Sequence, residues 1–136
     1  MHPRSIAHVI GTLLLVIGAA MVLPLLTTLF YEENDFQPLL ISMVIVLALG
    51  GPLRFFNPIF FELTIRDAVV VTVFGWSIIC AVSTLPFLIS GAIPSFTDAF
   101  FEMMSGFTTT GATILNDIES LDHGLLMWRS ETHFLG

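Results

Sequence analysis

The chain has 136 residues, of which 55% are hydrophobic and only 11% are charged. About a quarter of the residues in a typical soluble domain are charged, so this composition indicates an integral membrane protein. The four positive residues are isolated arginines within a net charge of −7, which gives no support to nucleic-acid binding. Long uncharged runs in a bilayer must satisfy their own backbone hydrogen bonds, so we predict an all-α membrane fold.

The first uncharged run extends from Ser5 to Phe30 and contains one titratable side chain, His8. At about 1.5 Å per residue this run reaches about 39 Å, enough to cross a hydrocarbon core about 30 Å thick. An alternative is a cleaved signal peptide, with the sequence GAA at 18–20 as its cleavage site. The apolar run continues beyond these residues, which favours a retained transmembrane helix.

A short acidic loop, YEENDF, separates the first run from a second uncharged run at 36–53. We predict a second transmembrane helix here, ended by the Gly-Gly-Pro sequence at 50–52. Residues 1–53 are therefore predicted to form two N-terminal transmembrane helices. Residues 54–66 mix arginines with aromatic residues, as is typical of an interfacial connection.

The third uncharged run extends from Ala68 to Thr97, and Pro86 predicts that its membrane helix ends near residues 86–88. Three crossings leave most of the arginines on one side of the membrane and the acidic loop on the other. The arginines on that side are Arg4, Arg54 and Arg66, and the acids opposite are Glu32, Glu33 and Asp35. The positive-inside rule therefore predicts a cytoplasmic N-terminus and a cytoplasmic connection at 54–66.

A shorter helix is predicted at 95–107, with Ser95 or Thr97 as its N-cap and Asp98 in its first turn. Its roughly 12 helical residues reach about 18 Å, which is too short to cross the membrane. By the number of crossings, both ends of this helix lie on the same side. We therefore predict a re-entrant loop.

The sequence TTTGAT at 108–113 follows this helix. Irregular backbone at membrane depth is tolerated only where it is buried in protein or lines a water-filled cavity. An ion selectivity filter is such a use, because its consecutive carbonyls replace the hydration shell of the ion. Gly111 can adopt a positive φ without steric cost, as this backbone requires. The alternative is that Gly111 is a C′ glycine and the threonines form a polar turn.

The sequence TDAFFEMMSGFTTTGAT at 97–113 resembles the first pore loop of the Trk/Ktr/HKT superfamily of K⁺ transporters, and in particular of its TrkH/TrkG-type membrane subunits. The N-terminal RSIAHVIGTLLLVIGAAMVLP, TLPF at 84–87 and LLMWRS at 125–130 are similar to the same family. The resemblance implies a fold of four helix–pore loop–helix repeats, preceded by two additional helices.

On this resemblance, residues 5–30 and 38–53 are the additional helices and residues 67–136 hold the first repeat. Its outer helix is 67–88, its pore helix is 96–107 and its incomplete second helix is 124–136. The implied K⁺ ligands, with Na⁺ as an alternative ion, are the backbone carbonyls of Thr109, Thr110, Gly111, Ala112 and Thr113, with Thr108 adjacent. No covalent cofactor is implied.

The resemblance further implies a homodimer, a cytosolic nucleotide-binding regulatory subunit and a location in the bacterial inner membrane. One pore loop cannot surround an ion, so we expect either a longer protein or assembly with chains that supply the other three loops. Glu131 departs from the expected pattern. It would lie about 10 Å into the membrane, where a lone carboxylate costs about 2.5–3.5 kcal/mol.

Glu102 and Arg129 are predicted to lie at similar depths on neighbouring elements. Because charges inside a membrane usually pair, we expect an ion pair between them that supports the filter without touching the ion. The alternative is that Arg129 extends to the outer surface.

The acidic loops at 32–35 and 117–122 are interpreted as solvated, with attraction of cations to an entrance as the alternative. The histidines are scattered, so no metal site is predicted. Cys80, the only cysteine, lies in an apolar run and is predicted to be inert.

No catalytic constellation is present, so an enzyme is not predicted. The sequence instead predicts K⁺ transport. The alternatives are a small structural or assembly membrane protein in which TTTGAT is only a turn, and a secondary transporter that binds its substrate at the half-helix.

Overall fold

The structure, a computed structural model, describes residues 3–57 and 64–136, and the regular secondary structure of these residues is entirely helical. The helices in chain order are α1 Pro3–Ala20, α2 Val22–Tyr31, α3 Phe36–Phe55, α4 Ile65–Ser83, α5 Leu85–Ser90, α6 Phe96–Phe107 and α7 His123–Leu135. A 3₁₀ turn, Ile118–Ser120, lies in the connection before α7.

Three helical stretches in the described part of the chain are long and apolar enough to cross a membrane. They are α1 together with α2, α3 alone, and α4 together with α5. Large apolar side chains on each of them remain exposed, including Val16, Val44 and Phe74. Soluble monomers rarely expose such extended apolar surfaces, whereas lipid or further protein covers them without cost. The three predicted spans are confirmed as candidates, and the chain is a multi-pass membrane protein.

The first span is interrupted at Met21, between α1 and α2. Pro24 has no N–H to donate one turn back, so the regular hydrogen-bond pattern weakens at this point. Met21 N still donates to Ile17 O at 3.2 Å, and Leu25 N donates to Met21 O at 3.2 Å. These bonds keep the two helices on one continuous path.

The second span is longer than predicted, because α3 continues through Pro52 to Phe55. Phe56 N donates to Pro52 O at 3.0 Å and closes the final turn. The prediction that the Gly-Gly-Pro sequence ends this helix was therefore wrong. The predicted connection at 54–66 falls partly on residues 58–63, which lie outside the described residues.

The third span begins at a capping box, in which the Thr64 side chain accepts from Asp67 N and the Asp67 carboxylate accepts from Thr64 N. After a break at Thr84, α5 extends the span to Ser90, beyond the predicted end at 86–88. Pro86 lies in the first turn of α5, where a missing N–H has no effect on the helix.

Helix α1 packs most extensively against α3, and the two backbones come into contact at Gly11 and Gly50. A Cβ atom at Gly11 would lie 2.6 Å from Arg54 N and 2.9 Å from Gly50 O. Both are backbone atoms that cannot move aside independently. Gly11 therefore sets the distance between the first two spans.

We expect Gly11→Ala to destabilise the protein by about 1–3 kcal/mol, the usual cost of overpacking a close contact. The matched control is Gly51→Ala on α3, where a Cβ atom would meet nothing within 4 Å. Thermal unfolding in detergent compares the two variants. If Gly11→Ala unfolds at the same temperature as Gly51→Ala, the contact between α1 and α3 does not depend on this glycine.

Candidate functional site

The candidate site begins with α6, a half-length helix of 12 residues, Phe96–Phe107. This length corresponds to about 18 Å, too short to cross a membrane. The Ser95 side chain accepts from Asp98 N at 3.4 Å, so Ser95 rather than Thr97 is the N-cap. The bounds of α6 are those that the resemblance implied for the pore helix, 96–107, and the helix predicted from the residues alone at 95–107 began one residue earlier.

Helix α6 is held between α4 and α7. Ala99 and Met103 on α6 are fully buried against these neighbours. The buried Trp128 of α7 donates its Nε1 proton to Ser83 O of α4 at 3.1 Å, which joins the two flanking helices. The end of α6 is therefore fixed by packing on both sides.

The helix ends in a Schellman motif, with Thr109 rather than Gly111 at the left-handed C′ position. Thr110 N donates to Ser105 O, and Thr109 N donates to Gly106 O, each at 2.9 Å. This is the pair of bonds that defines the motif, and Thr109 has a φ of 54°. The alternative interpretation of Gly111 as a C′ glycine was therefore wrong.

Residues 108–113, which we call the candidate filter segment, are all exposed on the surface of this chain. Gly111 has a φ of 76°, so the segment has two left-handed residues separated by Thr110. Among the described residues, nothing donates a hydrogen bond to the backbone carbonyls of residues 108–111. A carbonyl on open, irregular backbone must find another partner, and water or a cation supplies one.

Hydroxyl groups of the segment itself and of α6 stabilise its backbone. The Thr108 hydroxyl donates to Met104 O at 2.7 Å and lies 2.8 Å from the Thr110 hydroxyl. The Ser105 hydroxyl donates to the Ala112 carbonyl at 2.6 Å. The predicted ligand Ala112 O is thus already hydrogen-bonded, and a carbonyl oxygen retains one further lone pair.

Glu102 fixes the distal end of the candidate filter segment. The Thr113 hydroxyl lies 2.9 and 3.0 Å from the two oxygens of the Glu102 carboxylate, and Ile114 N donates to Oε2 at 3.1 Å. Arg129 Nε lies 2.6 Å from Oε1, and the Glu102 side chain has no exposed surface. One buried carboxylate therefore links α6, the segment and α7.

The sequence predicted the pair between Glu102 and Arg129, and the two side chains meet in the structure. The Arg129 side chain is only 12% exposed, so it does not extend to the surface as the alternative required. The bonds from Glu102 to Thr113 and Ile114 were not predicted. They join residues 11 and 12 positions apart across an irregular turn, and no periodic pattern in the sequence indicates such contacts.

Glu131 faces the interior of the chain, with 8% of its surface exposed. It lines a small apolar cavity together with Leu23 of α2 and Met127 and Phe134 of α7. Its Oε2 atom has no hydrogen-bond partner among the described residues. The Glu131 carboxylate is therefore buried in apolar surroundings, where an unpaired charge is costly.

These features define a helical, multi-pass membrane protein in which a half-length helix leads into exposed, irregular backbone beside a buried ion pair. The match to known families agrees with this class. The chain belongs to the TrkH family of cation transport proteins, whose family model matches residues 36–136.

Named relatives match almost the whole chain. The potassium uptake protein TrkG of Escherichia coli K12 is 33% identical over 99% of this chain, and TrkH of the same strain is 34% identical over 100% of it. The crystal structure of the potassium transporter TrkH from Vibrio parahaemolyticus superposes on 95% of this chain with a TM-score of 0.86 and 35% identity.

The chain spans only 28–29% of the length of these relatives. Their names describe transport proteins, and none of these names denotes an enzyme. The similarity therefore covers one part of a transport protein.

Proposed function

We propose that this chain supplies one wall of a K⁺ pathway through a membrane, in a transport protein of the potassium-uptake type. The ion is coordinated by backbone carbonyls of the candidate filter segment, Thr108, Thr109, Thr110, Gly111, Ala112 and Thr113. Na⁺ is the alternative ion. Transport in this proposal needs dehydration and carbonyl coordination and no covalent chemistry.

The observation that carries the proposal is the open backbone at the end of α6. Left-handed residues at Thr109 and Gly111 lie beside carbonyls that accept no hydrogen bond from the described residues. The C-terminal end of a helix has a partial negative charge, which favours a cation at this point. In K⁺ channels, rings of backbone carbonyls form the ion filter.

The names of the relatives support the choice of ion, because TrkG and TrkH are potassium uptake proteins. One segment cannot surround an ion, so the other walls of the pathway must come from sequence beyond this chain or from other chains.

A location in the bacterial inner membrane and a cytoplasmic N-terminus belong to the same proposal. The homodimer and the cytosolic nucleotide-binding subunit implied by the resemblance stay predictions.

Growth of a bacterial strain that lacks its own K⁺ uptake tests the proposal. We expect the full-length protein that contains this chain to restore growth at low K⁺ and to raise uptake of Rb⁺, a K⁺ substitute. Cells that carry the empty vector give the background uptake. Uptake of Na⁺ measured in parallel decides between the two ions. Correct insertion without any cation uptake would favour the structural or assembly alternative.

A further inference from the structure

The structure brings the two acidic loops together at the ends of three helices. One carboxylate oxygen from each of Glu33, Asp35 and Asp122 lies within 4.8 Å of the other two. Asp35 is only 3% exposed, so the interpretation of this loop as fully solvated was wrong for Asp35. Its Oδ2 atom has no hydrogen-bond partner in the described part of the chain.

The two aspartates occupy positions where a carboxylate usually has a structural role. Asp35 is the N-cap of α3 and Asp122 is the N-cap of α7. An N-cap side chain normally accepts from the first free N–H groups of its helix. Neither aspartate caps its own helix here. Glu33 and Asp35 instead accept from backbone N–H groups in the first turn of α7, and this leaves Asp35 Oδ2 without a hydrogen-bond partner among the described residues.

The charges of this cluster are only partly balanced. His123 donates its backbone N–H to Glu33 Oε2 at 2.7 Å, and its Nδ1 lies beside Oε1. Burial alone would raise the pKa of Glu33, but the contacts with His123 lower it overall. Burial and the neighbouring Asp122 raise the pKa of Asp35 to about 7. Among the described residues, no arginine pairs with the cluster, since Arg129 binds Glu102.

The chemistry of the cluster selects a hard cation. Its ligand atoms are carboxylate oxygens, and Ser90 and Ser120 line the same cavity of about 270 Å³ beside Asp35 and Asp122. Ca²⁺ binds oxygens at about 2.3–2.6 Å, so two ligands on opposite sides of the ion lie about 5 Å apart. Separations of no more than 4.8 Å between the three oxygens are therefore compatible with one bound Ca²⁺. Mg²⁺, with bonds of about 2.0–2.1 Å, requires a tighter arrangement.

We propose that Glu33, Asp35 and Asp122 bind a Ca²⁺-sized divalent cation at the junction of the α2–α3 turn with the start of α7. The bound ion would join the first two spans to the helix that follows the candidate filter segment. This site is separate from that segment, and the inference does not depend on the proposed K⁺ transport.

The test is calorimetric titration of the purified full-length protein, stripped with EDTA, with CaCl₂ alone as the probe. We expect saturable binding with a Kd of about 10⁻⁴ to 10⁻³ M, as in weak Ca²⁺ sites. Loss of one ligand in Asp35→Asn or Asp122→Asn is expected to weaken binding more than about tenfold. The matched control is Asp117→Asn, an exposed acid in the same loop as Asp122, which should bind as the wild type does.

Thermal unfolding keeps the result interpretable if a variant is less stable. Ca²⁺ should raise the unfolding temperature of the wild type and of Asp117→Asn, but not that of Asp122→Asn. The proposal is overturned if the wild type shows no saturable Ca²⁺ binding, or if both ligand variants bind Ca²⁺ as tightly as Asp117→Asn. Ca²⁺ binding that is seen in choline chloride but lost in KCl of the same ionic strength would also contradict a site for divalent cations.

Discussion

Gly111→Leu is expected to reduce K⁺ uptake by the full-length protein to the level of cells that lack it. Gly111 has a φ of 76°, which a residue with a Cβ atom adopts only at a cost of about 1–2 kcal/mol. Leucine would relieve this strain by rotating the backbone, and the rotation would reorient the neighbouring carbonyls of the candidate filter segment. Growth at low K⁺ and initial rates of Rb⁺ uptake measure the effect.

The control for this prediction is Gly91→Leu, at the C-cap of α5. Gly91 also has a φ of 76°, and a Cβ atom at either glycine would meet nothing within 4 Å. The two variants therefore carry the same backbone strain and the same freedom from clashes. We expect Gly91→Leu to transport normally at equal expression. Equal loss of uptake in the two variants would show that positive φ at Gly111 is a general folding requirement and not part of a filter. Normal uptake by Gly111→Leu would contradict the filter hypothesis itself.

The sequence predicted the start of α6 well because the signals there are local. Ser95 and Asp98 are three residues apart, within the reach of one N-cap, and the apolar residues that follow have helical spacing. The residue at the C′ position of this helix was harder to predict. Threonine rarely adopts a positive φ, so glycine was the natural choice for the C′ position. The backbone instead places Thr109 there and leaves Gly111 for the next left-handed turn.

The helix ends predicted at two prolines were also wrong. Pro52 and Pro86 were interpreted as ends, yet helical structure continues past both. Pro52, inside α3, removes one hydrogen bond, but lipid offers the exposed backbone no better partner than the rest of the helix. Pro86 lies in the first turn of α5, where its missing N–H has no effect. Sequence rules derived from water-soluble helices therefore end such helices too early.

Long-range contacts account for the remaining differences. Glu33 and Asp122 come together because α2 and α7 pack side by side, which no local pattern encodes. The pair between Glu102 and Arg129 was predictable only because unpaired charges inside a membrane are so costly. That rule gave the partner, but it gave no information on the other groups that Glu102 binds.

Glu102→Gln is expected to destabilise the protein by on the order of 3–5 kcal/mol, the usual cost of removing one partner of a buried ion pair. Glutamine keeps the size of the side chain and one carbonyl acceptor, so the variant mainly removes charge. Arg129 would then lie 12% exposed without its counter-charge. The Thr113 hydroxyl and Ile114 N–H would compete for the single remaining acceptor.

The same substitution should also reduce K⁺ uptake, because Glu102 holds Thr113 at the distal end of the candidate filter segment. Glu119→Gln is the matched control, since Glu119 is an exposed acid in the connection before α7. We expect this control to retain the stability and the transport of the wild type. Thermal unfolding in detergent and Rb⁺ uptake give the two readouts.

A double-mutant cycle separates the ion pair from the other bonds of Glu102. Arg129→Gln alone leaves the Glu102 carboxylate buried and uncompensated, so it too should be strongly destabilising. With both changes neither position carries a charge, and the double variant should be less destabilised than the sum of the two single variants by about 0.5–3 kcal/mol. The full charge exchange, Glu102→Arg with Arg129→Glu, should recover less, because arginine cannot accept from Thr113 or Ile114. Additive effects in the glutamine cycle would mean that the two charges do not stabilise each other, and that Glu102 acts through Thr113 and Ile114 alone.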